Sequence, residues 1–282
     1  MSFFRRSWLN RMFKGFQNGR HTQNHFRGFR PELEPLEHRL SPAVYTVLTD
    51  GDGNSMPVAA GEGMFTVATL RGAIDAANNN AGKDTINFSI GGGGVRTIRV
   101  GFITGSPLPE IKDAVIIDGT TNPGYAGTPV IELSGQDLIA ADGLEISAGN
   151  STVKGLIINR FAGDGIWLRN NGNNLIVNNY IGTDKTGTQS QGNSSQGIYI
   201  ESSNNTIGGA GANDRNLISG NGASGIYIKQ GHGSNVIAGN YIGTDKTGTQ
   251  KLGNGIDGID MGATRFPLTG SPGCVRVSCA AA

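Results

Sequence analysis

Eleven residues, NYIGTDKTGTQ, run from Asn179 to Gln189 and return unchanged from Asn240 to Gln250, an offset of 61 residues. A repeat at such spacing constrains the fold before any other feature, because a short unit must stack on its neighbours to bury an apolar side. A finer period lies inside it. One motif, Ile-x-x-Asn, occurs at Ile176–Asn179, Ile218–Asn221 and Ile237–Asn240, with Ile158–Phe161 as a variant. A second, Gly-Ile-x-hydrophobic, occurs as GIWL (165–168), GIYI (197–200), GIYI (225–228) and GIDM (258–261), with GLEI (143–146) as an earlier member. From the Ile to the following Gly is 7 residues at Ile158 and Ile218 but 21 at Ile176 and Ile237, which predicts a 14-residue insertion in alternate turns. The Ile-to-Ile intervals of 18, 42 and 19 predict a base unit of roughly 18–20 residues, with a further insertion around Gly208–Arg215.

From about Thr97 the apolar runs are short, β-rich and broken by Gly and Asn, and no helical period survives. Glycine is 46 of 282 residues, which suits many tight turns between strands. A coil of three short strands per turn fits, with successive turns about 4.8 Å apart in parallel sheets. Inward positions are then Ile166/Leu168, Ile198/Ile200, Ile226/Ile228 and Ile259/Met261, with Ile158, Ile176, Ile218 and Ile237 as a second inner column. Asn179, Asn221 and Asn240 are expected to stack in one amide ladder, with Gly220 and Gly239 left-handed before two of them. Ile181 and Ile242 should anchor just after the turn.

The expected class is all-β, a right-handed parallel β-helix, or solenoid, with a short helical N-terminal cap. Leu70, Ala73, Ile74 and Ala77 form an amphipathic stripe, ended by Asn78–Asn80 and Gly82, and TINFSI then alternates as a strand. Four regions follow: a leader (1–43), a cap region (44–96), the β-helix repeats (97–262) and an atypical tail (263–282). The tail matches no earlier unit, so a truncated or frame-altered end is expected there. Residues 1–30 carry seven Lys/Arg and no acid, whereas 41–282 carry 15 basic and 19 acidic side chains. The basic arm holds no nucleic-acid recognition fold, so nucleic acid is not an expected partner. No run of about 18 apolar residues exists, so no transmembrane segment is expected. Cys274 and Cys279 are C-x4-C without a second pair, which is not a zinc spacing, although a disulfide across the small loop fits.

RPELEPLEHRLSPA (Arg30–Ala43) resembles the LEPR-x-LL motif of bacterial exported and surface proteins, matching at Leu33, Glu34, Pro35, Leu36, Glu37, Arg39 and Leu40, with Ser41-Pro42 in place of the second Leu. The resemblance implies export to the cell surface or medium. Leu70-Arg71, Ala73-Ile74 and Ala76-Ala77-Asn78 resemble the CSLREA-type segment that heads many bacterial β-helix proteins, without its usual Cys. Residues 66–262 resemble bacterial repeat proteins of the pectin-lyase-like fold, which hosts lyases, hydrolases, adhesins and inert scaffolds.

Four candidate sites follow. GHG (Gly231–Gly233) resembles the His motif of polygalacturonases, but no Asp-Asp precedes His232, no Arg-Ile-Lys follows it, and Lys229 stands on the wrong side. His232 is therefore expected to be a loop residue, and no catalytic residue is assigned. GGAGAN (Gly208–Asn213) resembles one calcium-binding nonapeptide of the GGxGxDxU type, with Asn213 where that motif has Asp. Calcium needs six to eight oxygens, so it is only a secondary expectation and no metal residue is assigned. Asp184 and Asp245 each sit in Gly-Thr-Asp-Lys-Thr-Gly, which reads as a turn capped by its carboxylate or as a ligand-lining loop. Finally, the outward residues of the Gly-Ile-x-hydrophobic strands are Glu145, Trp167, Tyr199, Tyr227 and Asp260. Such an aromatic column either stacks on itself or contacts sugars, and the inserted loops are expected to wall it. The expected function is a non-catalytic exported surface scaffold, with polysaccharide or cell-envelope partners met through Trp167, Tyr199, Tyr227, Asp184 and Asp245. The alternative is a polysaccharide lyase or glycoside hydrolase using the same groove.

Overall fold

The computed structural model of the chain describes residues 41–211, 213–262 and the backbone of Arg276–Ser278. The leader motif, Cys274 and Cys279 lie outside the described residues. The described chain is mostly β, in three long sheets whose strands run parallel except for Val58–Gly61, which pairs antiparallel with Met64–Val67 at the edge of the first sheet. Sheet A has ten strands and includes Val44–Val47, Asp84–Phe88, Val115–Asp118, Thr152–Lys154, Leu175–Val177, Thr206–Gly208 and Val236–Ala238. Sheet B has six: Arg96–Arg99, Ile131–Ser134, Leu156–Asn159, Tyr180–Ile181, Leu217–Ile218 and Tyr241–Ile242. Sheet C has five: Leu144–Ile146, Ile166–Arg169, Ile198–Glu201, Ile226–Ile228 and Ile259–Asp260. From Leu144 onward the chain passes C, A, B and returns to C, each strand pairing with its counterpart one turn back.

Strict register converts the period-2 alternation of each strand into columns that run through the stack. On sheet A the inner column is Ile117, Val153, Ile176, Ile207 and Ile237. On sheet B it is Ile98, Leu133, Ile158, Ile181, Ile218 and Ile242. The inner column expected from Ile158, Ile176, Ile218 and Ile237 therefore splits between two sheets, although all four are buried. Sheet C behaves as expected at Ile166/Leu168, Ile198/Ile200 and Ile226/Ile228, all buried. Ile259 is only half-buried and Met261 is exposed, contrary to expectation, because no described turn covers them.

Register also corrects the unit length. Leu144 pairs with Ile166 and Val153 with Ile176, so an uninserted turn is 22–23 residues. Ile158 precedes Ile166 by 8 residues, as Ile218 precedes Ile226, whereas Ile181 precedes Ile198 by 17, as Ile242 precedes Ile259. The alternate insertion is thus nine residues rather than 14.

Each of the three corners carries its own amide ladder. Between sheets A and B, the Asn216 Oδ1 accepts from both the N–H and the Nδ2 of Asn179, and Asn240 does the same for Asn216. Between B and C the rungs are Asn193, Asn221 and Asn254. Between C and A they are Asn174, Asn205 and Asn235. The single ladder expected from Asn179, Asn221 and Asn240 is therefore corrected: Asn221 stands at another corner, and Asn216 takes the middle place. Gly220 and Gly239 are left-handed as expected, at φ 75° and 67°. A fourth column, Asp142, Asp164, Gln196 and Ser224, leads into sheet C, each side chain accepting from the next turn's backbone N–H.

Near the start, the helix Leu70–Asn78 forms as the apolar stripe predicts. The Thr69 Oγ1 accepts from Gly72 N at 3.2 Å, and Leu70, Ala73, Ile74 and Ala77 are buried in the core. Arg71 pairs with Asp52 at 2.9 Å within this region, both side chains being buried. In the tail, the backbone of Arg276–Ser278 pairs in parallel with Val236–Ala238, so this segment continues sheet A.

Candidate functional site

The outer face of sheet C carries the expected column. Glu145, Trp167, Tyr199, Tyr227 and Asp260 are direct register partners through five successive turns. Trp167 and Tyr199 stack with centroids 6.0 Å apart and planes 9° from parallel, and Tyr199 and Tyr227 lie 5.3 Å apart, tilted by 57°. All three rings are half-buried. Trp167 and Tyr199 thus meet face to face, whereas Tyr199 and Tyr227 meet at an angle.

Charged side chains border the rings. Arg169 bridges Glu110 at 2.8 Å and Glu145 at 2.6 Å, and its guanidinium lies 5.0 Å from the Trp167 ring centroid. The Trp167 Nε1 donates to Glu201 Oε2 at 3.3 Å, and Lys229 pairs with the other oxygen of Glu201. The carboxylates differ in affinity for protons. A hydrogen bond with Ser147, aided by Arg169, holds Glu110 below the ordinary glutamate range. Lys229 does the same for Glu201. Burial pushes Glu145 upward despite Arg169. Sequence reasoning found the ring column by alternation but missed Glu110 and Arg169. Glu110 lies on a connecting segment, and only the coil brings it to sheet C.

Asp184 and Asp245 adopt the capped turn in both copies. Asp184 accepts from the Thr186 hydroxyl and from the N–H groups of Thr188 and Gln189. Asp245 accepts from Thr247, Thr249 and Gln250 in the same way. At Asp184 burial disfavours the charge, but the bonds from Thr186, Gln189 and Thr188 outweigh it and the pKa is lowered. At Asp245 the Thr247 hydroxyl leads the lowering.

The loops do not wall the aromatic column. A Cβ on Gly187 would lie 2.8 Å from the Tyr180 ring and 2.9 Å from the Lys246 Cβ, and one on Gly248 would lie 2.8 Å from the Tyr241 ring. Tyr180 and Tyr241 are outward residues of sheet B. Each loop closes on itself through the bridges Thr183–Ser190 and Thr244–Lys251 and folds back over the strand it leaves. The two copies touch where Lys246 N donates to Gly187 O at 2.9 Å. Asp184 and Lys185 instead line a polar cavity of about 250 Å³ with Thr97, Glu132, Arg160 and Gln191. Sequence reasoning missed this cluster. Its signal was the charged outward residue in VIEL, Glu132, in a column whose next four members are Ile157, Tyr180, Leu217 and Tyr241.

His232 lies in the loop between strands of sheets C and A. Asn213 is exposed, and Asp214 is bonded to Gly211 N of its own turn at 3.0 Å. Among the described residues no group of three or more His, Cys, Asp or Glu is arranged to hold a metal ion, and no helix is long and apolar enough to cross a membrane. Comparison with known proteins finds no matching family model and no matching curated protein.

Proposed function

We propose that the chain is an exported, right-handed parallel β-helix that serves as a non-catalytic surface scaffold and contacts glycans through the outer face of sheet C. The supporting observation is the in-register column of Trp167, Tyr199 and Tyr227, half-exposed and bordered by Glu110, Glu145, Arg169, Glu201 and Lys229. Ring edges offer apolar contact at low entropic cost, and the bordering acids and bases offer acceptors and donors to sugar hydroxyls. The sheet is rigid, because interior residues and ladders fix every strand, so little ordering is needed on binding. Export and a surface location rest on the resemblance of Arg30–Ala43 to the LEPR-x-LL motif, and the β-helical class on the three parallel sheets through which the chain cycles.

A polysaccharide-cleaving reading has one observation in its favour. Glu145 is pushed up while Glu110 and Glu201 are held down on one face, as an acid and a base would be. The experiment is a panel of acidic and neutral polysaccharides, with and without calcium, scored for binding and for turnover. The scaffold reading expects binding without cleavage, at least tenfold weaker in Trp167→Ala and Tyr199→Ala. Turnover of any polymer overturns it in favour of the enzyme, and unchanged affinity in both variants removes the aromatic face from the function.

A further inference from the structure

The cavity on sheet B lies apart from the aromatic column, and two features of it are costly to the scaffold. The first is backbone strain. Arg160 follows the strand Leu156–Asn159 with φ 59°, and in the other uninserted turn Gly220 holds the matching place with φ 75°. A side chain in this left-handed region costs about 1 kcal/mol. Of the seven described non-glycine residues with positive φ, five are Asn, whose short amide tolerates that conformation, and Arg160 has no such compensation.

The second is a buried charge. Glu132 is 7% exposed at its side chain on the outward column of sheet B, where the next four turns place Ile157, Tyr180, Leu217 and Tyr241. An apolar residue would satisfy that column with no desolvation. The chain instead holds a carboxylate there and surrounds it. Thr97 donates to Oε2 at 2.6 Å, and Asn159 and Arg160 donate to Oε1 at 2.8 and 2.9 Å. Strain and burial together serve to fix one guanidinium at the edge of a cavity.

The hydrogen-bonding balance says what the cavity would take. Glu132 already accepts three donors, and Asp184 accepts the donors of its own loop. Arg160 uses Nε toward Asn159 at 3.2 Å and one Nη2 hydrogen toward Glu132, two of its five N–H groups. Lys185 is exposed and has no ion-pair partner among the described residues. The charged groups of the lining with hydrogens still free are the cations Arg160 and Lys185, which calls for an acceptor-rich anion. Two carboxylates in the same lining oppose a second negative charge on the ligand. At about 250 Å³ the cavity lies just below the usual range for small-molecule sites, enough for a small acid and not for a polymer. We propose that it binds a small organic monocarboxylate, gripped between Arg160 and Lys185, with the inserted loop Thr183–Ser190 supplying the second cation.

The test uses the full chain, titrated at fixed ionic strength with acetate, inorganic phosphate and glucose and followed through backbone amide NMR signals. Acetate should give saturable shifts at residues around Glu132, Arg160 and Lys185. Lys185→Met should weaken this about tenfold, the loss of one charge-assisted hydrogen bond. Lys246→Met, the same change in the second loop copy, should leave it unaltered. The double variant Arg160→Gly with Glu132→Gln should abolish binding while melting near the wild-type temperature, because Gly suits the left-handed position and no charge is orphaned. If that variant fails to fold, Lys185→Met alone decides, since Lys185 is exposed. The proposal is overturned if acetate shifts do not saturate, if Lys185→Met binds as well as wild type, or if phosphate or glucose binds and acetate does not.

Discussion

Replacing Asn216 by Ala should reveal how much the corner ladders contribute. Asn216 is fully buried and is the middle rung between Asn179 and Asn240. Its Oδ1 accepts from Asn179 N at 3.0 Å and from Asn179 Nδ2 at 3.2 Å, and its Nδ2 donates to Ile176 O at 2.7 Å and Asn240 Oδ1 at 2.9 Å. Not all of these partners would be orphaned. Asn179 Nδ2 keeps Val153 O and Val177 O, and Asn240 Oδ1 keeps the residue-216 backbone N–H. The Asn179 N–H and the Ile176 carbonyl lose their side-chain partner inside the core. At about 1–3 kcal/mol per buried unsatisfied group, and less for a carbonyl with two lone pairs, the expected loss is about 2–4 kcal/mol. The terminal rung gives the contrast. Asn240 is only half-buried, so water can replace its bonds and Asn240→Ala should cost about 1 kcal/mol. Urea unfolding followed by circular dichroism should show the Asn216→Ala midpoint lower by about 1–2 M at unchanged slope. A loss no larger than that of Asn240→Ala would refute the view that the ladder acts through buried, unsatisfiable backbone groups.

Two further outcomes concern pH. Asp164 is pushed above the ordinary aspartate range by burial, which the bonds from Ser195 and Gln196 only partly offset. A raised acid costs stability as pH rises above about 4, so Asp164→Asn should match wild type near pH 3 and be at least as stable at pH 7. Thermal melts at both values check this, and an Asn variant weaker at pH 7 than at pH 3, relative to wild type, would contradict it. Asp184 and Asp245 are both lowered, so their contribution is present above about pH 4 and is lost as pH falls through the depressed values. Asp184→Asn and Asp245→Asn should each give a shallower acid transition that converges with wild type at the lowest pH, read from melting temperature against pH.

Local pattern alone made much of this protein legible. Alternation within GIWL, GIYI and GIYI assigns Ile166, Ile198 and Ile226 inward and Trp167, Tyr199 and Tyr227 outward, because side chains in a strand have period two whatever surrounds them. The helix stripe and the Asp184 turn are local for the same reason. The Ile-x-x-Asn motif failed as a guide because two different corners need the same local chemistry: a buried aliphatic residue, a left-handed residue and a buried amide. Asn179 and Asn240 turn the chain from sheet A to sheet B, while Asn221 turns it from B to C. Nothing inside the four-residue motif itself distinguishes those corners. Only the pairing between turns does, and it settled the turn length, the nine-residue insertion and the face the loops cover. The cavity is non-local in the same sense. Thr97, Glu132, Arg160 and Lys185 come from separate turns, and stacking alone brings them together. Sequence determined that short strands would stack and which residues would face the core. The tertiary structure decided which strand lies on which, because backbone hydrogen bonds between turns carry no side-chain signature of their own.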